Sequence, residues 1–272
     1  MVGGNVGKIK TIQEYEAEIT EIHALIIESP SDTKLKESLD RKLSKWASLV
    51  EVTVFVANNE QKPLTSDEIG YLTKPMLTEK EYEKMYGKGK GAKQVADYQA
   101  FLTFGSRGEW CTTLVERKGG QKGCEDFYGS LMNKEGRGRF YNEIGRYEID
   151  SRFKRMIVLV KSTLPELMTY VPQFCGKNRN VDHIGACAES RYGTVASLYI
   201  QDVPVLFCGT RYIMAKMYHK LIQQDIIKNY AYYLELDKKE EAKLLGEDRE
   251  TLTFEVSGIK FRVQKDAVEV LA

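Results

Sequence analysis

Apolar residues recur along this chain with two periods, and the changes of period mark its elements. Over residues 11–29, Ile12, Tyr15, Ile19, Ile22 and Ile26 fall at spacings of three and four, the stripe of an amphipathic helix. Thr11 and Glu14 stand three apart, as a capping box requires, and Pro30 disfavours helix in the residue before it. A second helix over about residues 32–49 lines up Leu35, Leu39, Leu43 and Trp46, so the two helices predict an antiparallel hairpin. Residues 50–57 then alternate, with Val50, Val52, Val54 and Val56 on one side of a strand. Thr65 with Glu68, and Thr78 with Glu81, have capping-box spacing and open two short helices.

Residues 95–104 and 110–116 read as strands joined by a turn over 105–108, although the first segment also suits a helix. Residues 139–149 read as a third strand, with Phe140, Tyr141 and Tyr147 on an open sheet face. The apolar run at 155–161 predicts a buried central strand. Thr163, Pro165 and Glu166 open a further helix. Residues 194–200 and 203–208 read as strands about a turn at Gln201 and Asp202, with Pro204 suited to a sheet edge. The longest helix is expected over 210–236, with Ile213, Met217, Leu221 and Gln224 on one face. A short acidic helix follows, ending at Gly246. Residues 252–256 and 259–263 pair through Ser257 and Gly258, and 267–271 adds a further strand.

The fold this predicts is α+β: an N-terminal helical hairpin packed on a mixed β-sheet, then a long C-terminal helix and a terminal β-hairpin. Residues 1–49 form the hairpin unit and residues 50–272 the body. Helices and strands alternate too irregularly for a doubly wound sheet or a barrel.

Composition narrows the class. At 272 residues with 42% apolar and 29% charged content, the chain has the make-up of a globular protein able to bury a core without metal or disulfides. The N-terminus has no charged-then-apolar leader pattern and no run is long enough to span a bilayer, so the expectation is an intracellular, cytoplasmic protein without membrane association. Lys and Glu are abundant and Asn is scarce, which leans towards a thermophilic source.

Charge is unevenly spread. The net charge is +1, yet residues 84–155 hold 15 Lys/Arg against 9 Asp/Glu. Glycines and aromatics are interleaved with these cations, a composition that suits phosphate contacts and base stacking, and equally suits solvated turns. The nucleic-acid-binding set expected from it is Lys88, Lys90, Lys93, Arg107, Lys118, Lys122, Arg137, Arg139, Tyr141 and Arg146.

The remaining candidates are weaker. Gly209, Thr210 and Arg211 follow a strand and open a helix, so Thr210 and Arg211 form a weak anion site beside the plainer reading of Thr210 as an N-cap. Cys175, His183 and Cys187 match no zinc-finger spacing, and the five cysteines include no CxxC pair, so no metal and no cofactor is expected. No signature of a P-loop, dinucleotide site, hydrolase or deaminase is present. The leading expectation is therefore a non-enzymatic nucleic-acid-binding or nucleoprotein-type protein. An assembly protein, virion-associated and homo-oligomeric through the N-terminal hairpin, and an enzyme on a phosphate-bearing ligand at residues 209–211 are the alternatives.

Overall fold

The structure, a computed structural model, describes residues 10–58, 60, 62–76, 81, 84, 95–119, 124–132, 134–170, 181–236, 243–247, 251–256 and 259–264, with the backbone alone at 134, 181–187 and beyond 242. The chain divides into two compact units, Met1–Asn229 and Tyr230–Ala272.

The first unit opens with the expected hairpin, α1 (Ile12–Glu28) and α2 (Thr33–Leu49). Thr11 and Glu14 close the capping box, and Asp32 caps α2 by accepting from the Lys34 and Leu35 amides. Ile19 and Trp46 are fully buried, and the Trp46 ring stacks on Phe104 of the sheet at 5.3 Å. The hairpin therefore packs on the body through the middle of its stripe.

A six-stranded mixed sheet follows, in the order β2-β1-β3-β4-β5-β6, with β1 (Glu51–Val56), β2 (Leu72–Pro75), β3 (Tyr98–Phe104), β4 (Arg107–Lys118), β5 (Arg155–Val160) and β6 (Val205–Phe207). β1, β3 and β4 form an antiparallel meander, while β5 and β6 run parallel to β4. The short α3 (Ser66–Ile69) links β1 to the edge strand β2. Gly105, at φ 63, begins the two-residue turn between β3 and β4, a conformation that side chains with a Cβ rarely take. Pro204 precedes the other edge strand, as expected of a residue without an N–H.

Helices cover both faces. α4 (Glu125–Met132), α5 (Lys134–Glu148), α6 (Leu164–Thr169) and α7 (Val181–Ile200) pack on one, where Leu114, Met156, Val158 and Val160 meet Phe127, Phe140 and Leu167. α8 (Arg211–Lys228) packs on the other, its Tyr218 ring 5.5 Å from Tyr98. There Asp225, buried, accepts from the Thr112 and Thr113 hydroxyls at 2.7 and 2.5 Å.

Four local expectations fail. Residues 139–149 lie in α5, not in a strand: Phe140, Ile144 and Tyr147 are spaced by four and three, which buries all three on one helical stripe. Residues 194–200 end helix α7, the strand-forming composition being overridden by packing of Leu198 and Val195 in the core. The long helix stops at Asn229, whose side-chain amide donates to Thr112 Oγ1 and the Asp225 carbonyl, and the short α9 (Tyr230–Tyr233) follows. Gly246 lies within a strand rather than capping a helix.

The second unit holds α9 and an antiparallel three-stranded sheet, β7 (Lys243–Glu247), β8 (Thr251–Val256) and β9 (Ile259–Gln264). β8 and β9 are the predicted hairpin, in register from Val256↔Ile259 to Thr251↔Gln264. Of the helix expected from Thr78 only Glu81 and Lys84 are described, both helical, and the strand expected at 267–271 lies outside the described residues.

Candidate active site

Every parallel strand ends at the same edge of the sheet, the edge at which β3 begins. Ligands of open sheets gather at such carboxyl ends. β4 ends here with Glu116, Arg117 and Lys118, all nearly buried. Strand alternation puts Glu116 and Lys118 on the face of Leu114, towards α5, and Arg117 on the other. Tyr98 pairs with Val115, so Asp97, the residue before β3, comes opposite Glu116. The Asp97 amide donates to Glu116 Oε2 at 3.2 Å, and the Arg117 amide donates to Asp97 Oδ2 at 2.9 Å.

Lys118 Nζ donates to Glu116 Oε1 at 2.6 Å and lies 3.5 Å from Glu143 Oε2 on α5. It also sits over the Phe140 ring, 5.1 Å from the centroid. On the opposite face Arg117 grips Glu60 through Nε and a second guanidinium nitrogen, with both side chains buried. Glu60 borders a cleft of about 570 Å³ that also takes in Asn58, Thr65 and Lys74.

The charges of the cluster interact strongly. Burial pushes the Glu116 carboxyl up to about 7, and the charge of Asp97 adds to that, outweighing Lys118. Asp97 and Glu143 are also raised, chiefly by burial. Burial pulls Lys118 down, yet Glu116, Glu143 and Asp97 together hold it above the ordinary lysine value, so it is a cation at neutral pH. A buried and a half-buried carboxylate facing each other beside a buried ammonium, with shifted proton affinities, are the chemistry of a reactive centre more than of a surface turn.

Metal-binding capacity rests on the facing pair. Among the described residues no group of three or more His, Cys, Asp or Glu is placed to hold a metal ion by itself. A hard cation such as Mg²⁺ takes one or two carboxylates and fills its other positions with water and phosphate oxygens. Asp97 and Glu116 fit that requirement.

The sequence-derived residues are dispersed by the fold. Lys88, Lys90, Lys93 and Lys122 lie outside the described residues, as does Cys175. Arg107 sits at the far end of β4, roughly 36 Å from Lys118 at the usual rise per residue, where it pairs with Glu16 and covers Phe104. Lys118, expected in a solvated turn, is in the buried cluster. Arg137, Arg139 and Arg146 are exposed on α5, and Tyr141 is half-buried. Thr210 is the N-cap of α8, accepting from the Ile213 amide, and Arg211 is held by Glu68 and the carbonyls of Lys62 and Pro63. Asp97, Glu116, Glu60 and Glu143 were not singled out by the sequence. The signal was there: an acid heading one strand, and an acid and a lysine two apart ending its neighbour.

Among the described residues no helix is long and apolar enough to cross a membrane. Compared with models of known protein families the chain matches none, and it matches no curated protein.

Proposed function

We propose that the chain is a divalent-cation-dependent phosphodiesterase acting on nucleic acid, with its centre at Asp97, Glu116 and Lys118. The observation that carries this reading is the pairing of buried Glu116 with half-buried Asp97 beside Lys118, whose Nζ lies 2.6 Å from Glu116. Asp97 and Glu116 would hold the cation, which when bound polarises a phosphoryl oxygen and lowers the pKa of water. Lys118, held cationic, would neutralise charge that develops on the phosphoryl oxygens. In the hydrolysis a water oxygen bonds to phosphorus and one of its protons passes to a carboxylate, for which Glu143 is at hand. The P–O bond to the leaving group breaks, and the leaving oxygen takes a proton from solvent. The basic excess of residues 84–155 supports a polyanionic substrate. This reading keeps the nucleic-acid partner expected from the sequence and adds chemistry to it. Ile19, at the centre of the stripe expected to mediate assembly, is buried within the chain itself.

The test is cleavage of labelled linear DNA and RNA, single- and double-stranded, with Mg²⁺ or Mn²⁺. Cleavage should stop with EDTA. It should fall by roughly 10²–10³-fold in Lys118→Met, the range for losing one charge-stabilising group, and at least as far in Asp97→Asn and Glu116→Gln. Folded wild-type protein that binds these polymers and cleaves none of them with either metal would return the reading to a non-enzymatic binder.

A further inference from the structure

Arg139, Glu143 and Arg146 stand four and three residues apart on α5, so they share one stripe of the helix. Glu143 is the member that faces Lys118. At 100° per residue this stripe borders the buried one of Phe140, Ile144 and Tyr147, while Arg137 and Tyr141 fall on its other flank. Both Arg139 and Arg146 are exposed. Neither makes an ion pair with a described residue, whereas Arg107, Arg117, Arg152 and Arg211 are all engaged by carboxylates. Arg146 is close enough to Glu143 to act on its charge. Two guanidinium groups without an ion pair to a described residue therefore flank Glu143, the neighbour of Lys118, about 10 Å apart along the helix axis.

We infer that Arg139 and Arg146 grip phosphates of a polynucleotide strand on either side of the phosphodiester at Lys118, which makes the substrate a polymer laid along α5 rather than a small phosphodiester. The inference rests on the proposed function for the location of the reacting bond. Guanidinium groups suit the task because their planar fork meets phosphate oxygens two at a time. The grip is on backbone, so it carries no base preference.

The test measures binding apart from cleavage. Fluorescence anisotropy with a labelled oligonucleotide is followed against salt for wild-type protein in EDTA, for Arg139→Gln/Arg146→Gln and each of its single variants, and for the single-charge control Lys45→Gln on α2, exposed and away from α5. The double variant should lose about two units of the slope of log affinity against log salt, one per phosphate contact. It should also bind roughly tenfold or more weakly at physiological salt, as loss of a charged hydrogen bond implies. In the metal-loaded enzyme its KM for the polymer should rise more than its kcat falls. Lys45→Gln should keep the wild-type slope. An unchanged slope in the double variant, or no binding by wild type at low salt, overturns the inference. A lost slope without cleavage by wild type would support the grip and sink the proposed hydrolysis.

Discussion

Lys118 donates to Glu116, two residues before it on the same strand, at 2.6 Å, and both side chains are almost wholly out of water. Residues two apart in a strand share a face, so this contact follows from alternation once β4 is placed. Burying such a pair costs several kcal/mol per ion before the attraction offsets it, and apolar replacements of the same shape often stabilise. The contact is therefore a poor device for stability. With Asp97 opposite and Glu143 on the helix above, it is better explained by the chemistry it permits.

Lys118→Met should destabilise the protein by about 3–5 kcal/mol, because Glu116 would remain buried without its cation. Adding Glu116→Gln should restore much of that loss, since the uncompensated charge is then gone. Denaturant unfolding of the two single variants and the double variant gives the coupling directly. Strictly additive losses would mean that the two side chains do not act as a pair.

Stability of the metal-free protein should fall as pH rises from about 4.5 to about 7. Glu116 is raised from its ordinary 4.5 to about 7, chiefly by burial, and Asp97 and Glu143 are raised with it. The native state then binds more protons than the unfolded chain across this window, so the slope against pH is negative. Lys118, raised as well, stays charged in both states here and adds nothing. The acid side has the opposite sign. Arg211 holds Glu68 down at about 2, so that contribution is present above 4.5 and is lost as pH falls towards 2. Urea midpoints in EDTA should thus peak on the acid side of neutrality, and Glu116→Gln should flatten the fall above the peak. A midpoint that climbs steadily to pH 8 would contradict the burial of these acids.

Much of the fold was legible because its signals are local. The boxes at Thr11, Thr65 and Thr163 each open the helix they were read to open, and the apolar run at 155–161 is the buried strand β5. The failures come from composition without period. The aromatics of 139–149 suggested a sheet face, yet the spacing of Phe140, Ile144 and Tyr147 is helical. The cluster at the end of β4 is hidden in the sequence for a related reason. Arg117 and Lys118 adjoin glycines, and a solvated turn was the natural inference from that stretch. Their burial depends on partners distant in sequence, Glu60 for one and Glu143 for the other. Pairing of β3 with β4 is what turns Asp97 towards Glu116, and alternation alone could not supply that register.

Gly136→Ala should destabilise despite the better helix propensity of alanine. A Cβ at Gly136 would lie 2.3 Å from the Gly129 carbonyl oxygen, where α5 approaches the backbone of α4. Propensity favours the change by about 1 kcal/mol, while forcing an extra carbon into a close backbone contact costs typically 1–3 kcal/mol. The clash should win, lowering the melting temperature and moving α5, which carries Glu143. Gly138→Ala, with nothing within 4 Å of its Cβ, is the control and should be neutral or stabilising. Equal melting temperatures for the two variants would show that the helices do not approach so closely.

Mg²⁺ or Mn²⁺ should raise the melting temperature of the wild-type protein, and more so at pH 8 than at pH 6. A ligand that binds only the native state stabilises it by mass action, by about 2.7 kcal/mol at a hundred times its dissociation constant. The cation needs carboxylates in the ionised form. Because Glu116 titrates near 7, a proton competes with the metal below that pH and yields above it. The cation should therefore recover, at high pH, the stability that deprotonation of the buried acids removes. Asp97→Asn and Glu116→Gln should each abolish most of the shift, while Glu68→Gln, whose carboxylate is taken up by Arg211, should leave it intact. Differential scanning calorimetry with and without EDTA at the two pH values reads all of this. A shift of the same size in the wild type and in both site variants would place any bound cation elsewhere and remove the metal from Asp97 and Glu116.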